Sequence, residues 1–276
     1  MEYLEFLFQS IPEYKKNMLI ALLDDIGFTG FEEEPDQLKA YIDPTAFNTE
    51  KFDIIIQTVS VKYLLSPVKE INWNAKWESG FTPVTVLNPE TKAPFAHIYA
   101  SFHSSLPEAV HNIQITPKMS FGTGHHPTTY LMVEQLSRMD LKDESVIDFG
   151  TGTGVLSILS EKMGASSVVA IDNDEWSISN SAENIATNNC SKIQLIRADT
   201  IPGEIHGSII LANINLNIII SNLDAICKAA SKEAAIIFSG ILKQDESSII
   251  NAFKTHMLLV ENVFYNDQWM LICAKK

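Results

Sequence analysis

Two short stretches of this sequence hold residue types that can do chemistry at close spacing. FGTGHHPTTY, residues 121–130, joins two glycines, two adjacent histidines and two threonines. DFGTGTGVLSI, residues 148–158, places Gly150, Gly152 and Gly154 between an apolar strand pattern and a helix pattern. Glycines there let the backbone approach a ligand and free the helix N-terminus to face it. A dinucleotide fingerprint needs glycines at 150, 152 and 155. Position 155 is Val, and the third glycine comes one residue early. The spacing G-x-G-x-G is the common form for S-adenosylmethionine, which has no pyrophosphate to seat.

Acids and amides follow at the ends of later strands. Asp172 closes SVVAID, and an acid there can accept both ribose hydroxyls. Asp174 fits the helix N-cap role better than Asp172 does. Asp148 points into the glycine turn, where it either holds the turn or meets a bound ammonium through water. Asp199 ends the third strand and reaches an adenine amino group or caps its own loop. Asn213 ends the fourth strand in LANINL, where it would face both methyl donor and acceptor. Its amide offers a carbonyl acceptor for N–H and a donor for nearby oxygens. Ile214, Asn215 and Leu216 follow, with no proline or ring for stacking a nucleobase, so an aliphatic amine or amide is the expected acceptor.

The adjacent histidines invite a metal reading. Zinc needs three or four ligands at workable spacing. Nothing near His125 and His126 supplies them, so no metal is expected. The helix TTYLMVEQLSRM that follows takes Thr128 or Thr129 as its cap.

These residues need a framework. From 146 onward SVIDF, SVVAID, KIQLIRAD, GSIILAN and AAIIFSG read as apolar strands. Helix patterns separate them, at GVLSILSEKMG, 174–188, 216–230 and 243–254. LLVENVFY, a turn at Asn266-Asp267 and QWMLICAK close the chain as a hairpin. The alternation implies a mostly parallel α/β sheet covered on both faces, with one antiparallel strand added at the end. The first sixty residues differ. YLEFLF reads as a strand, PEYKKNMLIALLDDIG as a helix starting at Pro12, and GFEEE with LKAYID as a hairpin. TEKFDIIIQTVS is ambiguous between helix and strand. Residues 65–83 hold two prolines and two tryptophans without periodicity and read as a linker. The expected division is 1–64, a small α+β domain; 65–83, the linker; and 84–276, the larger domain.

Composition bounds the partners. The 276 residues carry a formal net charge of -14, and no Lys/Arg cluster is visible. Such a surface repels free nucleic acid and attracts a basic protein. No apolar run reaches the roughly 18 residues of a membrane span, and the start lacks a signal-peptide pattern. Cys190, Cys227 and Cys273 lie far apart, in neither a disulfide framework nor a metal cluster. A cytoplasmic protein is expected.

KMSFGTGHHPTT, VIDFGTGTGVLSI, AIDND and LANI, in this order and spacing, resemble the ribosomal protein L11 methyltransferase family, PrmA. Its members read Phe-Gly-Thr-Gly-x-His-x-Thr-Thr, then a glycine loop, then Asn-Ile-Leu. NWNAKWESGFTPV is similar to the family's linker region. The resemblance covers roughly 70–276 well, and the first sixty residues fit in layout more than in letters. It implies a seven-stranded Rossmann-like methyltransferase domain behind a small substrate-recognition domain. It also implies S-adenosyl-L-methionine as donor, with lysine side chains and the N-terminal amine of one ribosomal protein as acceptors. Carried over by position, donor contacts fall on Thr129, Gly150, Asp172 and Asn213. The residue reading adds Gly152 and Asp199, and makes Asn213 the catalytic candidate. Asn215 stands where the family often has Leu, which bears on acceptor geometry. A monomer is expected, with no nucleic acid and no membrane. The alternatives are a methyltransferase acting on another protein or a small amine, a nicotinamide-dependent oxidoreductase, and a non-catalytic S-adenosylmethionine-binding protein.

Overall fold

The computed structural model describes residues 3–68, 82–103, 109–117 and 121–276. The chain divides into two compact units, Met1–Phe81 and Thr82–Lys276.

In the first unit, β1 (Tyr3–Gln9) buries Phe6 and Phe8 on alternate positions. Helix α1 (Glu13–Asp24) follows Pro12. Strands β2 (Gly30–Glu34) and β3 (Gln37–Ile42) form the expected antiparallel hairpin. The ambiguous stretch is helix α2 (Thr49–Val59). Asn48 decides its start, its side chain accepting from the Lys51 N–H at 3.0 Å. Phe52, Ile55 and Val59, spaced by three and four, form its buried face. Strand β4 (Tyr63–Val68) pairs antiparallel with β1 and completes the order β2-β3-β1-β4.

The break expected at 64 therefore falls inside β4. Pro67 was part of the signal for a linker, yet β4 is an edge strand. Proline within a sheet is confined mainly to such edges. Residues 69–81 of the expected linker lie outside the described residues, as does most of the tryptophan segment.

The second unit opens with a small sheet absent from the sequence reading: β5 (Val84–Leu87), β6 (Pro94–Tyr99) and β7 (His111–Gln114). After α3 (Pro127–Leu136) comes the alternation that the apolar runs implied. It runs β8 (Ser145–Phe149), α4 (Val155–Lys162), β9 (Ser167–Asp172), α5 (Glu175–Thr187), β10 (Ile193–Arg197) and β11 (Gly207–Asn213). Then follow α6 (Leu216–Ala229), β12 (Ala230–Leu242), α7 (Glu246–Thr255), β13 (Leu259–Asn266) and β14 (Trp269–Lys275). The seven strands lie in the order β10-β9-β8-β11-β12-β14-β13. β14 runs antiparallel to both its neighbours, β12 on one side and β13 on the other.

Strand alternation sorts the residues between the two faces. Ile147, Phe149, Ile210, Ala212, Ile236 and Phe238 form a core with Ile219 and Leu223 of α6 and Ile249 and Phe253 of α7. Asp148 and Asn213 have the opposite phase. Leu211 pairs with Asp148, so Asn213 comes level with the turn that follows β8. No helix among the described residues is long and apolar enough to cross a membrane.

Candidate active site

From β8 the sheet runs to β9 on one side and to β11 on the other. The crevice beyond the C-terminal ends of strands at such a switch point is where open α/β sheets bind ligands. A cleft of about 800 Å³ lies there, lined by Gly150, Gly152, Asp172, Asp199 and Asn213 among others. The fold thus gathers five of the six expected site residues around one space.

The glycine turn, Gly150 to Gly154, does not offer free N–H groups. Gly150 and Thr151 donate to the Ile171 carbonyl at 2.8 and 3.0 Å, and Gly154 donates to Thr151. Gly152 donates to Asp172 Oδ2 at 2.9 Å. Thr153 donates to the Phe121 carbonyl at 2.9 Å. All five N–H groups are used within the protein. Glycine here serves close packing. At Gly152, φ is +54° and an added Cβ would stand 2.3 Å from the Phe121 carbonyl oxygen.

Asp148 sits beneath this turn, fully buried. Its Oδ2 accepts from Thr151 Oγ1 at 2.7 Å and Ser157 Oγ at 2.6 Å. Oδ1 has no protein partner. Burial pushes the carboxyl up to about 6, against the pull of the two hydroxyls.

Asp172 holds the turn and the next helix together. Besides the Gly152 N–H, its Oδ1 accepts from the Asp174 N–H at 3.1 Å. Asp174 caps α5, accepting from Ser177 N–H at 2.8 Å. Asp199 lies two residues beyond β10 and accepts from Asn173 Nδ2 at 3.1 Å. Asn173 lines the cleft and was not singled out in the sequence; its only signal was its place beside Asp172.

Asn213 is 8% exposed, and its Oδ1 has no partner. Its Nδ2 donates to Thr129 Oγ1 at 3.5 Å. Thr129 is fully buried and stands behind Asn213, outside the residues that line the cleft. Asn215 is the N-cap of α6, accepting from the Ile218 N–H at 3.1 Å, which gives the departure from Leu a local structural reason.

The histidine pair caps and braces. Helix α3 begins at Pro127, and its cap is His126 rather than Thr128 or Thr129. His126 Nδ1 accepts from the Thr128 N–H at 3.3 Å and lies 2.8 Å from Thr128 Oγ1. Burial holds its ring below the usual histidine range, so it is neutral at pH 7. With Nδ1 engaged at Thr128, this nitrogen serves the start of the helix. His125 Nε2 lies 2.9 Å from the Thr82 carbonyl. Among the described residues, no group of three or more His, Cys, Asp or Glu could hold a metal ion.

Rings do reach the cleft, although none follows Asn213 in sequence. His126 stands edge-on between Phe121 and Trp269, with centroids 5.0 and 4.6 Å away. Trp269 begins β14, more than fifty residues from Asn213, and no local motif marks it.

The family profile described as "Ribosomal protein L11 methyltransferase (PrmA)" matches residues 15–276. The chain belongs to the ribosomal protein L11 methyltransferase family. A member from Phocaeicola vulgatus is 35% identical over 254 residues, covering 89% of each chain. One from Bacteroides fragilis is 31% identical over 281 aligned positions, covering 99% of each. The crystal structure of a ribosomal protein L11 methylase from Lactobacillus delbrueckii subsp. bulgaricus superimposes with a TM-score of 0.62 at 25% identity. It covers 69% of this chain and 98% of its own. The family's profile thus spans all of the second unit and residues 15–81 of the first.

Proposed function

We propose that this chain is an enzyme that transfers methyl groups from S-adenosyl-L-methionine to lysine side-chain or N-terminal amines of ribosomal protein L11. The observation that carries this reading is the convergence, at the switch-point cleft, of a fully satisfied glycine turn, the Asp172 carboxylate and the unpaired Asn213 carbonyl.

The residues suit such a donor. A cleft of about 800 Å³ is in the range of small-molecule sites. Each Asp172 oxygen accepts one backbone N–H and keeps capacity for a ribose hydroxyl. Asp199, braced by Asn173, would take the adenine end, and Gly150 and Gly152 would form the floor. A nicotinamide dinucleotide would instead need N–H groups for its pyrophosphate, and the turn has used its own.

The donor supplies a methyl carbon already activated by a sulfonium, so alignment is the main demand on the chain. A lysine amine of pKa about 10.4 must first lose a proton. The apolar wall of Phe121, Ile214 and Trp269 disfavours the cation and lowers that pKa. Asn213 Oδ1 would accept an amine N–H and so orient the amine, while Thr129 accepts from the Asn213 amide. The released proton passes to solvent.

The first unit, with its own core of Phe6, Phe8, Leu38 and Phe52, would be the substrate-recognition domain. The net charge of -14 favours a basic protein partner over nucleic acid. The reading is of a cytoplasmic monomer. Incubating ribosomal proteins from a strain lacking the enzyme with chain and donor should add multiples of a methyl mass to L11 alone. Unchanged intact mass, or methylation of a different protein, would overturn the assignment. Removing residues 1–81 should leave S-adenosylhomocysteine affinity within about twofold and cut L11 methylation by orders of magnitude.

A further inference from the structure

Three asparagines stand four residues apart, Asn180 and Asn184 within helix α5 and Asn188 at its C-cap. Asn180 and Asn184 are buried. Buried amides destabilise a helix face unless their polar atoms are met. Here all but Asn180 Oδ1, which has no partner, meet backbone groups, chiefly those of residues 114–116 at the end of β7 and just beyond. Asn188 accepts from the Gln114 N–H at 3.1 Å and donates to the Gln114 carbonyl at 2.6 Å. Asn184 accepts from the Thr116 N–H at 2.7 Å, and Asn180 donates to the Thr116 carbonyl at 3.0 Å. The geometry explains the spacing. Four helical residues advance about 6 Å and two extended residues about 6.7 Å, so Asn188 and Asn184 meet Gln114 and Thr116, while Asn180 takes the other side of Thr116. The helix flank serves as one more strand at the edge of the small sheet.

Asn184 has a second bond. Its Nδ2 donates to the Thr153 carbonyl at 2.8 Å. Thr153 in turn donates its N–H to the Phe121 carbonyl at 2.9 Å and its hydroxyl to the Gly122 carbonyl at 2.8 Å. One buried amide therefore grips the glycine turn and the chain segment 114–116. The glycine turn grips Phe121 and Gly122.

We propose that Asn184 is a positioning residue for the donor site, coupling segment 114–116 to the glycine turn so that the donor floor and the Phe121 turn hold one register. The inference rests on the reading of the cleft as the donor site. It makes donor binding cooperative with order at 114–116, a segment that does not line the cleft.

Hydrogen–deuterium exchange of the full chain, with and without S-adenosylhomocysteine, tests this directly. Expected is joint slowing at 151–154, at 172–174 and at 114–116. Slowing at the first two with none at 114–116 would overturn the coupling alone. No slowing at any of them would remove the donor reading and the coupling with it. Two variants sharpen the result. Asn184→Asp keeps the acceptor for Thr116 and loses the donor to Thr153. Asn188→Ala loses only the Gln114 and helix contacts. Asn184→Asp should raise the Kd of S-adenosylhomocysteine about tenfold while turnover at saturating donor falls less than threefold. Asn188→Ala should lower the melting temperature with donor Kd within twofold. Equal effects of both variants on donor affinity would reduce the ladder to scaffolding and refute the assignment.

Discussion

The letters Gly-Thr-Gly occur at 122–124 and again from 150, and the two turns lie against each other. A Cβ at Gly152 would strike the Phe121 carbonyl, and one at Gly122 would come within 2.7 Å of Thr153 Oγ1. Each glycine makes room for the other turn. The similarity ends there. The second turn follows a central strand, opens α4 and forms part of the cleft floor. The first follows no strand of the large sheet, and it carries Phe121 and the capping His126 to the cleft wall. Glycine spacing says that something must come close to the backbone. The element before the glycine says whether that something is a ligand or another part of the chain.

Forcing the two turns apart is the most severe way to break this pairing. Gly152→Val introduces a side chain against a backbone oxygen at positive φ, so neither partner can yield cheaply. Affinity for S-adenosylhomocysteine should fall about 100-fold, near 2.7 kcal/mol. Calorimetry that finds native affinity in this variant would show that the turns need not touch. Asp172→Ala comes next. It removes the carboxylate that holds Gly152 and would meet the ribose, and a loss of about 1–3 kcal/mol in donor binding is expected. Unchanged affinity in a folded variant would reduce Asp172 to a loop brace. Asn213→Ala should act differently, lowering turnover about tenfold more than it weakens donor binding, because its buried, unpaired carbonyl is the group proposed to serve the amine. Equal losses in steady-state kinetics and in binding would argue against that division.

Much of this arrangement was legible in the sequence, and the exceptions have physical reasons. The parallel strands are continuous apolar runs because both faces are covered, and they stand out from their helices. Asp172 and Asn213 end such runs, which fixes their place at the cleft. The strands β5 to β7 are four to six residues long and carry His97, His111 and Asn112, so they give no comparable signal. Trp269 reaches the cleft only through the sheet order, with β14 inserted beside β12. The cap of α3 was misread although Pro127 marked the first helical position and so pointed to residue 126. β4 was taken for linker because Pro67 was weighed without knowing that the strand lies at an edge.

Asp148 offers the finest test, because it lies under one turn and touches neither Phe121 nor His126. Its carboxyl is fully buried and its pKa is raised from 3.8 to about 6. Between those values the folded chain holds a proton that the unfolded chain has lost. Folding stability from this group therefore falls as pH rises through that window and levels off above it. Asp148→Asn keeps an oxygen that can accept from Thr151 and Ser157 and removes the buried charge. At pH 7 it should stabilise the fold, but its amide NH₂ takes the place of an oxygen without a protein partner, which offsets part of the gain. A net gain of about 1 kcal/mol is expected, read as a higher melting temperature at pH 7 than the native chain. The difference should shrink as pH falls and vanish or reverse below about 4, where both chains carry a neutral group at this position. If the turn needs the charge to meet a donor ammonium, S-adenosylhomocysteine affinity will fall in the same variant while stability rises. A melting-temperature difference that does not change with pH would show that the carboxyl is not titrating in this window, and that the turn rests on its hydrogen bonds alone.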